Sequence, residues 1–128
     1  VACPKGFEPF PQIVDRAREL AAYSEGKITV TDLVAEAAGG AEVLYTDVWA
    51  SMGQESSAEE RRAAFADYQI NLDVVGMADP EAIVLHCLPA HRGEEIAAEV
   101  IDGPRSVVWD QAENRLHAQK ALLAKLLP

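Results

Sequence analysis

Residues 82–93 read AIVLHCLPAHRG, and this stretch decides the fold of the chain. The apolar run 82–85 is short and rich in branched side chains, which predicts a strand buried on both faces. His86, Cys87 and Arg92 follow this run and place an imidazole, a thiol and a guanidinium close together. Because ligands in open α/β sheets bind at the carboxyl ends of the strands, the sequence predicts a binding site immediately after residue 85.

Short apolar strands alternate with helical patterns along the rest of the chain. The predicted strands span residues 1–3, 28–30, 43–45, 82–85 and 106–109, and the predicted helices span 13–21, 33–38, 57–68 and a last segment capped by Asp110. This alternation predicts an α/β fold with a doubly wound, Rossmann-like parallel sheet and helices on both faces. The 128 residues are enough for one domain with a real core.

The net charge of −10 and the presence of two cysteines limit the function classes. An acidic surface gains nothing from meeting nucleic acid or an anionic membrane, so neither is an expected partner. Two cysteines are too few for a disulfide scaffold, and we expect reduced thiols and a cytoplasmic location. No apolar stretch approaches the roughly 20 residues of a membrane span, and no signal peptide is expected.

Cys87 has three interpretations on the residues alone. It can be a buried thiol that behaves as a small hydrophobic side chain. It can form a nucleophilic pair with His86, although adjacent residues on a strand point to opposite faces. It can also join His86 and His91 around a metal ion, but the spacing matches no recognised site and a fourth ligand is missing.

Two other segments combine polar residues in the same way. Residues 45–55 read YTDVWASMGQE and follow the predicted strand 43–45, where a simple polar turn is the alternative interpretation. Residues 109–120 read WDQAENRLHAQK and place Arg115 on the predicted last helix. A solvated surface charge is the ordinary interpretation of such an arginine.

Taken together and in this order, the three segments resemble the ornithine-binding domain of the ornithine carbamoyltransferases. The resemblance covers essentially all of residues 1–128. It implies transfer of a carbamoyl group from carbamoyl phosphate to the δ-amine of L-ornithine, which gives L-citrulline and phosphate in arginine biosynthesis or catabolism. It further implies no cofactor and no metal, and an assembly of one or more homotrimers.

The resemblance assigns ornithine binding to the loop after residue 45. Asp47 is expected to take the α-ammonium group of ornithine, and Ser51 and Met52 are expected to hold the α-carboxylate end. A carboxylate is the natural partner for a fixed ammonium group.

The resemblance assigns the reacting centre to the other two segments. Cys87 is expected beside the attacking δ-amine, without a covalent intermediate, and the backbone carbonyl of Leu88 is expected to accept from the carbamoyl NH₂. Arg115 is expected to donate to the carbonyl oxygen, where negative charge grows during attack. Cys87, Leu88 and Arg115 are therefore the predicted carbamoyl-phosphate contacts, and Cys87 and Arg115 the predicted catalytic residues.

The resemblance also implies that residues 1–3 form the second strand of the sheet. The central first strand and the carbamoyl-phosphate domain would then lie outside this sequence, and the isolated chain is expected to be insoluble or molten, and inactive. Two other functions stay open. One is a sibling carbamoyltransferase that acts on putrescine or an acylated ornithine, and the other is a non-catalytic domain that binds an amino acid or a partner chain.

Overall fold

Two parallel strands form the sheet of the molecule, whose computed structural model describes residues 1–51, 53 and 55–127. Strand β1 (Val43–Thr46) pairs with β2 (Ile83–His86) in a register that places Val43 beside Ile83 and Thr46 beside His86. The predicted strands 43–45 and 82–85 are confirmed, and so is the parallel α/β class of the fold.

Six α-helices surround these strands. They are α1 (Pro11–Ala22), α2 (Val34–Ala38), α3 (Ala58–Phe65), α4 (Leu72–Met77), α5 (Ala98–Ile101) and α6 (Val108–Leu126), with 3₁₀ turns at Glu55–Ser57 and Ala66–Tyr68. The predicted helices 13–21, 33–38 and 57–68 correspond to α1, to α2 and to α3 with its following turn. Pro11 opens α1, a position where its missing N–H costs nothing.

The core of the molecule lies around β2. Val84, Ile96 and Val108 are fully buried, and they bring together β2, the segment before α5 and the first turn of α6. Helix α4 contributes Val74 and Val75 to the same cluster. The carboxyl end of β2 therefore lies on the most tightly buried part of the described chain.

The predicted strands 1–3 and 28–30 are wrong as regular strands. They are reduced to one parallel bridge between Ala2 and Thr31, made by two hydrogen bonds of 3.1 and 3.0 Å. Pro4 directly follows Cys3 and cannot donate to a ladder, which limits the pairing. A groove of about 620 Å³ separates this bridge from β1, and Val1, Ala2 and the side chains of β1 line it.

The predicted strand 106–109 and the capping role of Asp110 are also wrong. Ser106 makes a single bridge to Val84, and α6 begins at Val108, so Asp110 lies inside the first helical turn. Val107 and Val108 have high strand propensity, but Val108 is buried in the core from the start of the helix. Tertiary packing overrides a local propensity of this size.

Helices α4 and α5 had no counterpart in the sequence prediction. Asn71 caps α4, because its side-chain oxygen accepts from the backbone N–H of Val74 at 3.0 Å. Both helices are shorter than two turns, so their apolar spacing is hard to tell from that of a buried strand or loop. Among the residues described, no helix has the length and apolar character that crossing a membrane requires.

Candidate active site

The carboxyl ends of β1 and β2 lie side by side and bring two of the predicted site residues together. Because Thr46 pairs with His86, the residues that follow them leave the sheet at the same edge. The thiol of Cys87 donates to a carboxylate oxygen of Asp47 at 2.9 Å. The contact joins two motifs that lie 40 residues apart in the sequence.

The surroundings of Cys87 favour the protonated thiol. Burial raises the pKa of Cys87 above its ordinary value, and the hydrogen bond and negative charge of Asp47 raise it further. A hydrogen bond with Tyr45 opposes this shift in part. A thiol with a raised pKa is a donor and a poor nucleophile at neutral pH, which disfavours covalent catalysis by Cys87.

His86 is not placed to activate that thiol. Its ring is buried, Nδ1 accepts from the backbone N–H of Leu88 at 2.9 Å, and Nε2 lies 3.2 Å from Glu95 Oε1. Since both ring nitrogens are engaged on the side of the core, the histidine has no lone pair left for Cys87. The nucleophilic pair considered from the sequence is therefore disfavoured.

Leu88 has an unusual backbone conformation at the predicted carbamoyl position. Its φ of 54° lies in the left-handed region, and the peptide bond to Pro89 is cis. A left-handed conformation costs a non-glycine residue about 1–3 kcal/mol and persists only where its surroundings hold it. The hydrogen bond from its N–H to His86 is one contact that does so.

The loop after β1 is more exposed than the loop after β2. Asp47 and Ser51 are exposed, and Gly53 has a φ of 88°, which a side chain would disfavour. The backbone carbonyl of Trp49 accepts from Arg61 of α3 at 3.2 Å and ties the loop to that helix. Met52, the remaining predicted ornithine contact, lies outside the described residues.

Gln111 is a functional candidate that the sequence prediction missed. Its side-chain oxygen accepts from the backbone N–H of His86 at 3.0 Å, and its amide nitrogen lies 3.3 Å from the hydroxyl of Tyr45. The side chain thus links α6 to both strands at the edge that carries the site. The signal in the sequence was its position one residue after Asp110 in the segment 109–120, but an amide side chain has no charge pattern that would mark it.

Arg115 lies one helical turn beyond Gln111, on the same face of α6. It is exposed, and within the described part of the chain it makes no hydrogen bond and no ion pair. The structure therefore places Arg115 on the side of the helix that approaches the strand ends, but does not bring it into contact with Cys87.

The comparisons with known proteins agree with the resemblance found in the sequence. A family model described as aspartate/ornithine carbamoyltransferase, Asp/Orn binding domain, matches residues 1–126. The chain belongs to this family.

The relatives of this Asp/Orn binding domain include longer proteins named ornithine carbamoyltransferase. The chain is 59% identical over 127 residues to the ornithine carbamoyltransferase of Synechocystis sp., covering 99% of this chain and 41% of that protein. The solved ornithine carbamoyltransferase of Pyrococcus furiosus is 56% identical with a TM-score of 0.91, over 97% of this chain and 40% of that one. A solved N-acetyl-L-ornithine transcarbamylase is 27% identical with a TM-score of 0.84, over 98% and 39%. The chain spans about 41% of the length of the curated relatives it matches.

The structure does not bring Cys87, His86 and His91 together as the metal site considered from the sequence. A different group of side chains in this Asp/Orn binding domain has the geometry to hold an ion. In the described residues the polar group that could hold an ion consists of His91, Glu94 and Glu95, whose ligand atoms lie within 4.8 Å of one another. Neither His86 nor Cys87 belongs to it. Glu94 is already paired with Arg62 at 3.0 Å, so its carboxylate has a cation.

Arg92 serves the structure of the domain. Its guanidinium makes two hydrogen bonds of 2.8 Å to the two carboxylate oxygens of Asp102. This bidentate pair holds the end of the loop after β2 against the end of α5. Arg92, which lies close to Cys87 in the sequence, is therefore paired with Asp102.

Proposed function

We propose that this domain binds L-ornithine in an enzyme that transfers the carbamoyl group of carbamoyl phosphate to the δ-amine, giving L-citrulline and phosphate. The observation that carries the proposal is the contact of Asp47 with Cys87 at the adjoining carboxyl ends of β1 and β2. Ligands of open α/β sheets bind at this edge. Membership of the carbamoyltransferase family supports the same reaction.

The loop after β1 is proposed to hold the amino-acid head group. The carboxylate of Asp47 is exposed and can accept from the α-ammonium of ornithine, while Ser51 and Met52 hold the α-carboxylate end. An ion pair with hydrogen bonds would fix one end of a flexible dibasic substrate. The δ-amine, at the other end, is then directed toward Cys87.

The loop after β2 and α6 are proposed to hold the carbamoyl group. The backbone carbonyl of Leu88 accepts from the carbamoyl NH₂, Cys87 lies beside the attacking amine, and Arg115 donates to the carbonyl oxygen. The uncharged δ-amine attacks the carbonyl carbon, a tetrahedral intermediate forms, and phosphate leaves. Orientation of the two substrates and stabilisation of the growing oxyanion supply the rate enhancement. No cofactor and no metal enter this sequence of steps.

Free ornithine fits the site better than its acylated or decarboxylated relatives. An acylated α-nitrogen carries no positive charge and would leave Asp47 without its ionic partner. Putrescine keeps that ammonium group but has no α-carboxylate for Ser51 and Met52 to hold. The identities of 56–59% to ornithine carbamoyltransferases, against 27% to an N-acetyl-L-ornithine transcarbamylase, support the same choice. A purely structural or docking domain would not require a carboxylate at this edge.

The biological setting is proposed on the family resemblance. It comprises arginine metabolism, a homotrimer or a multiple of trimers, and a cytoplasmic location. Sedimentation of the full-length natural protein tests the assembly, since a monomer would contradict it.

The experiment that tests the function measures citrulline formation by the full-length natural protein and by its Asp47→Asn variant. Loss of the ionic contact should lower kcat/KM for ornithine by about 10- to 150-fold, which corresponds to about 1.5–3 kcal/mol. The KM for carbamoyl phosphate should change little. Any activity on N-acetyl-L-ornithine should not respond, because its acylated α-nitrogen carries no charge for Asp47 to bind.

Asp15→Asn is the matched control for this experiment. Asp15 is an exposed aspartate on α1, far along the chain from the strand ends, and its replacement should leave every constant unchanged. Ornithine constants that stay the same in Asp47→Asn would remove the assignment of that residue. A wild-type protein that forms no citrulline would overturn the function itself.

A further inference from the structure

His86 holds the backbone of Leu88 through one specific ring nitrogen. Because Nδ1 accepts from the Leu88 N–H at 2.9 Å, the proton of the neutral ring must lie on Nε2. That nitrogen faces Glu95 Oε1 at 3.2 Å. The carboxyl group therefore selects the tautomer that leaves Nδ1 free to accept.

Glu95 is completely buried, and it closes the loop that contains Cys87 and Leu88. Besides His86 at the start of this loop, the same oxygen Oε1 accepts from the backbone N–H of His91 at its end. The second oxygen, Oε2, is buried without a hydrogen-bond partner among the described residues, and the ring nitrogen Nδ1 of His91 lies 3.6 Å from it. A buried acidic group that is only partly satisfied is costly, so packing alone does not account for it.

The backbone of Leu88 adopts a conformation that a leucine does not favour by itself. A leucine gains nothing intrinsic from a φ of 54°, and this angle sets the direction of the adjoining peptide groups. The hydrogen bond to His86 fixes the N–H on one side of the residue, and this in turn restricts where its carbonyl can point.

We propose that Glu95 is a positioning residue that acts through the tautomer of His86 to aim the Leu88 carbonyl at the carbamoyl NH₂. This inference rests on the proposed function, which assigns that contact to Leu88. Glu95 touches neither substrate. Its role is like that of the carboxylates that lie behind metal-binding histidines and fix the ring orientation and the position of the proton.

The first experiment compares His86→Leu and His86→Asn in the full-length natural protein. Leucine fills the space but offers no acceptor, whereas the side-chain oxygen of asparagine can stand where Nδ1 was. His86→Leu should lower kcat by roughly 10- to 100-fold with little change in the KM for ornithine. His86→Asn should recover most of that loss. A role in packing alone would give the opposite order, because leucine packs better in a core.

The second experiment replaces Glu95 by glutamine, with Glu94→Gln as the matched control. An amide keeps the shape of Glu95 but can present an N–H to His86, which removes the selection of the tautomer. Glu95→Gln should lower kcat and accelerate hydrogen exchange of the Leu88 amide. Glu94→Gln, whose side chain pairs with Arg62, should change neither.

Hydrogen exchange separates this proposal from the proposed function. Exchange of the Leu88 amide reports the link to His86 whether or not the protein forms citrulline, and wild-type citrulline formation reports the function alone. An unchanged exchange rate in both His86→Leu and Glu95→Gln overturns the positioning role. Faster exchange with an unchanged kcat overturns the positioning role as well, because the hydrogen bond between Leu88 and His86 would then not affect turnover.

Discussion

The two loops that meet at the site are held in different ways. The loop after β2 is anchored from within by Glu95, Ile96 and His86, all of which are buried. The loop after β1 carries Asp47 and Ser51 on its surface. The side of the site proposed for the carbamoyl group is therefore shaped by the core of this domain. On the side proposed for ornithine, the described residues 47–51 and 53 are exposed or half-buried. Segments with few buried contacts open at low free energy.

The same contrast extends along the strands. β2 has neighbours on both edges, since β1 pairs with it throughout and Ser106 bridges to Val84. The other edge of β1 faces the groove of about 620 Å³, and Val43 and Tyr45 are 47% and 54% exposed. An open edge with apolar side chains is typical of a surface that another segment covers.

The largest expected effect comes from testing residues 1–128 alone. The open edge of β1, together with exposed leucines on α6, should leave this chain insoluble or molten and without measurable carbamoyl transfer. Binding of a hydrophobic dye and near-ultraviolet circular dichroism check its packing. A cooperative thermal transition together with citrulline formation would show that the open edge of β1 does not prevent the chain from folding.

Hydrogen exchange of the full-length natural protein sharpens the contrast between the strands. Amides of β2 should be protected longer than those of β1, because only β2 is enclosed by the core. Equal protection of the two strands would remove the difference on which the comparison rests.

The next effect in size concerns Arg115, which stands on neither loop. Arg115→Ala in the full-length natural protein should lower turnover by roughly 10²- to 10³-fold, the usual result of losing one donor to a developing oxyanion. Lys120→Ala, an exposed cation further along α6, is the matched control. If Arg115 were only a surface charge, its loss would change stability by under about 0.5 kcal/mol and leave turnover intact.

The smallest expected effect is a shift in the pKa of Cys87, whose thiol joins the two loops through its hydrogen bond to Asp47. In the full-length natural protein, mass spectrometry of the peptide that contains Cys87 gives the alkylation rate of this thiol alone, and the dependence of that rate on pH gives the pKa. Asp47 raises this pKa by its hydrogen bond and its charge, so Asp47→Asn should move the midpoint of the rate to lower pH. A midpoint that stays in place would mean that the loops do not meet in solution as they do in the structure.

The sequence alone was sufficient for the two strands that carry the site and for the polar loops that follow them. Residues 43–45 and 82–85 are apolar runs that end in polar loops, and parallel neighbours leave a sheet at the same edge. Asp47 and Cys87 follow these runs, and the structure brings the two side chains into contact. A one-dimensional pattern is enough here because a short apolar run rich in branched side chains and followed by a polar loop is typical of a strand.

Only the tertiary structure decided what Val108, Gln111 and Glu95 do. Val108 looks like a strand residue but begins a helix, because its side chain is buried against β2. Gln111 and Glu95 look like ordinary polar residues, and their roles depend on the distance to His86, which the fold sets across 25 and 9 positions of the chain. The local sequence determines the secondary-structure propensity of a segment and the spacing of its polar residues. A buried hydrogen bond also requires a partner group within about 3 Å, and the fold of the whole chain decides which group that is.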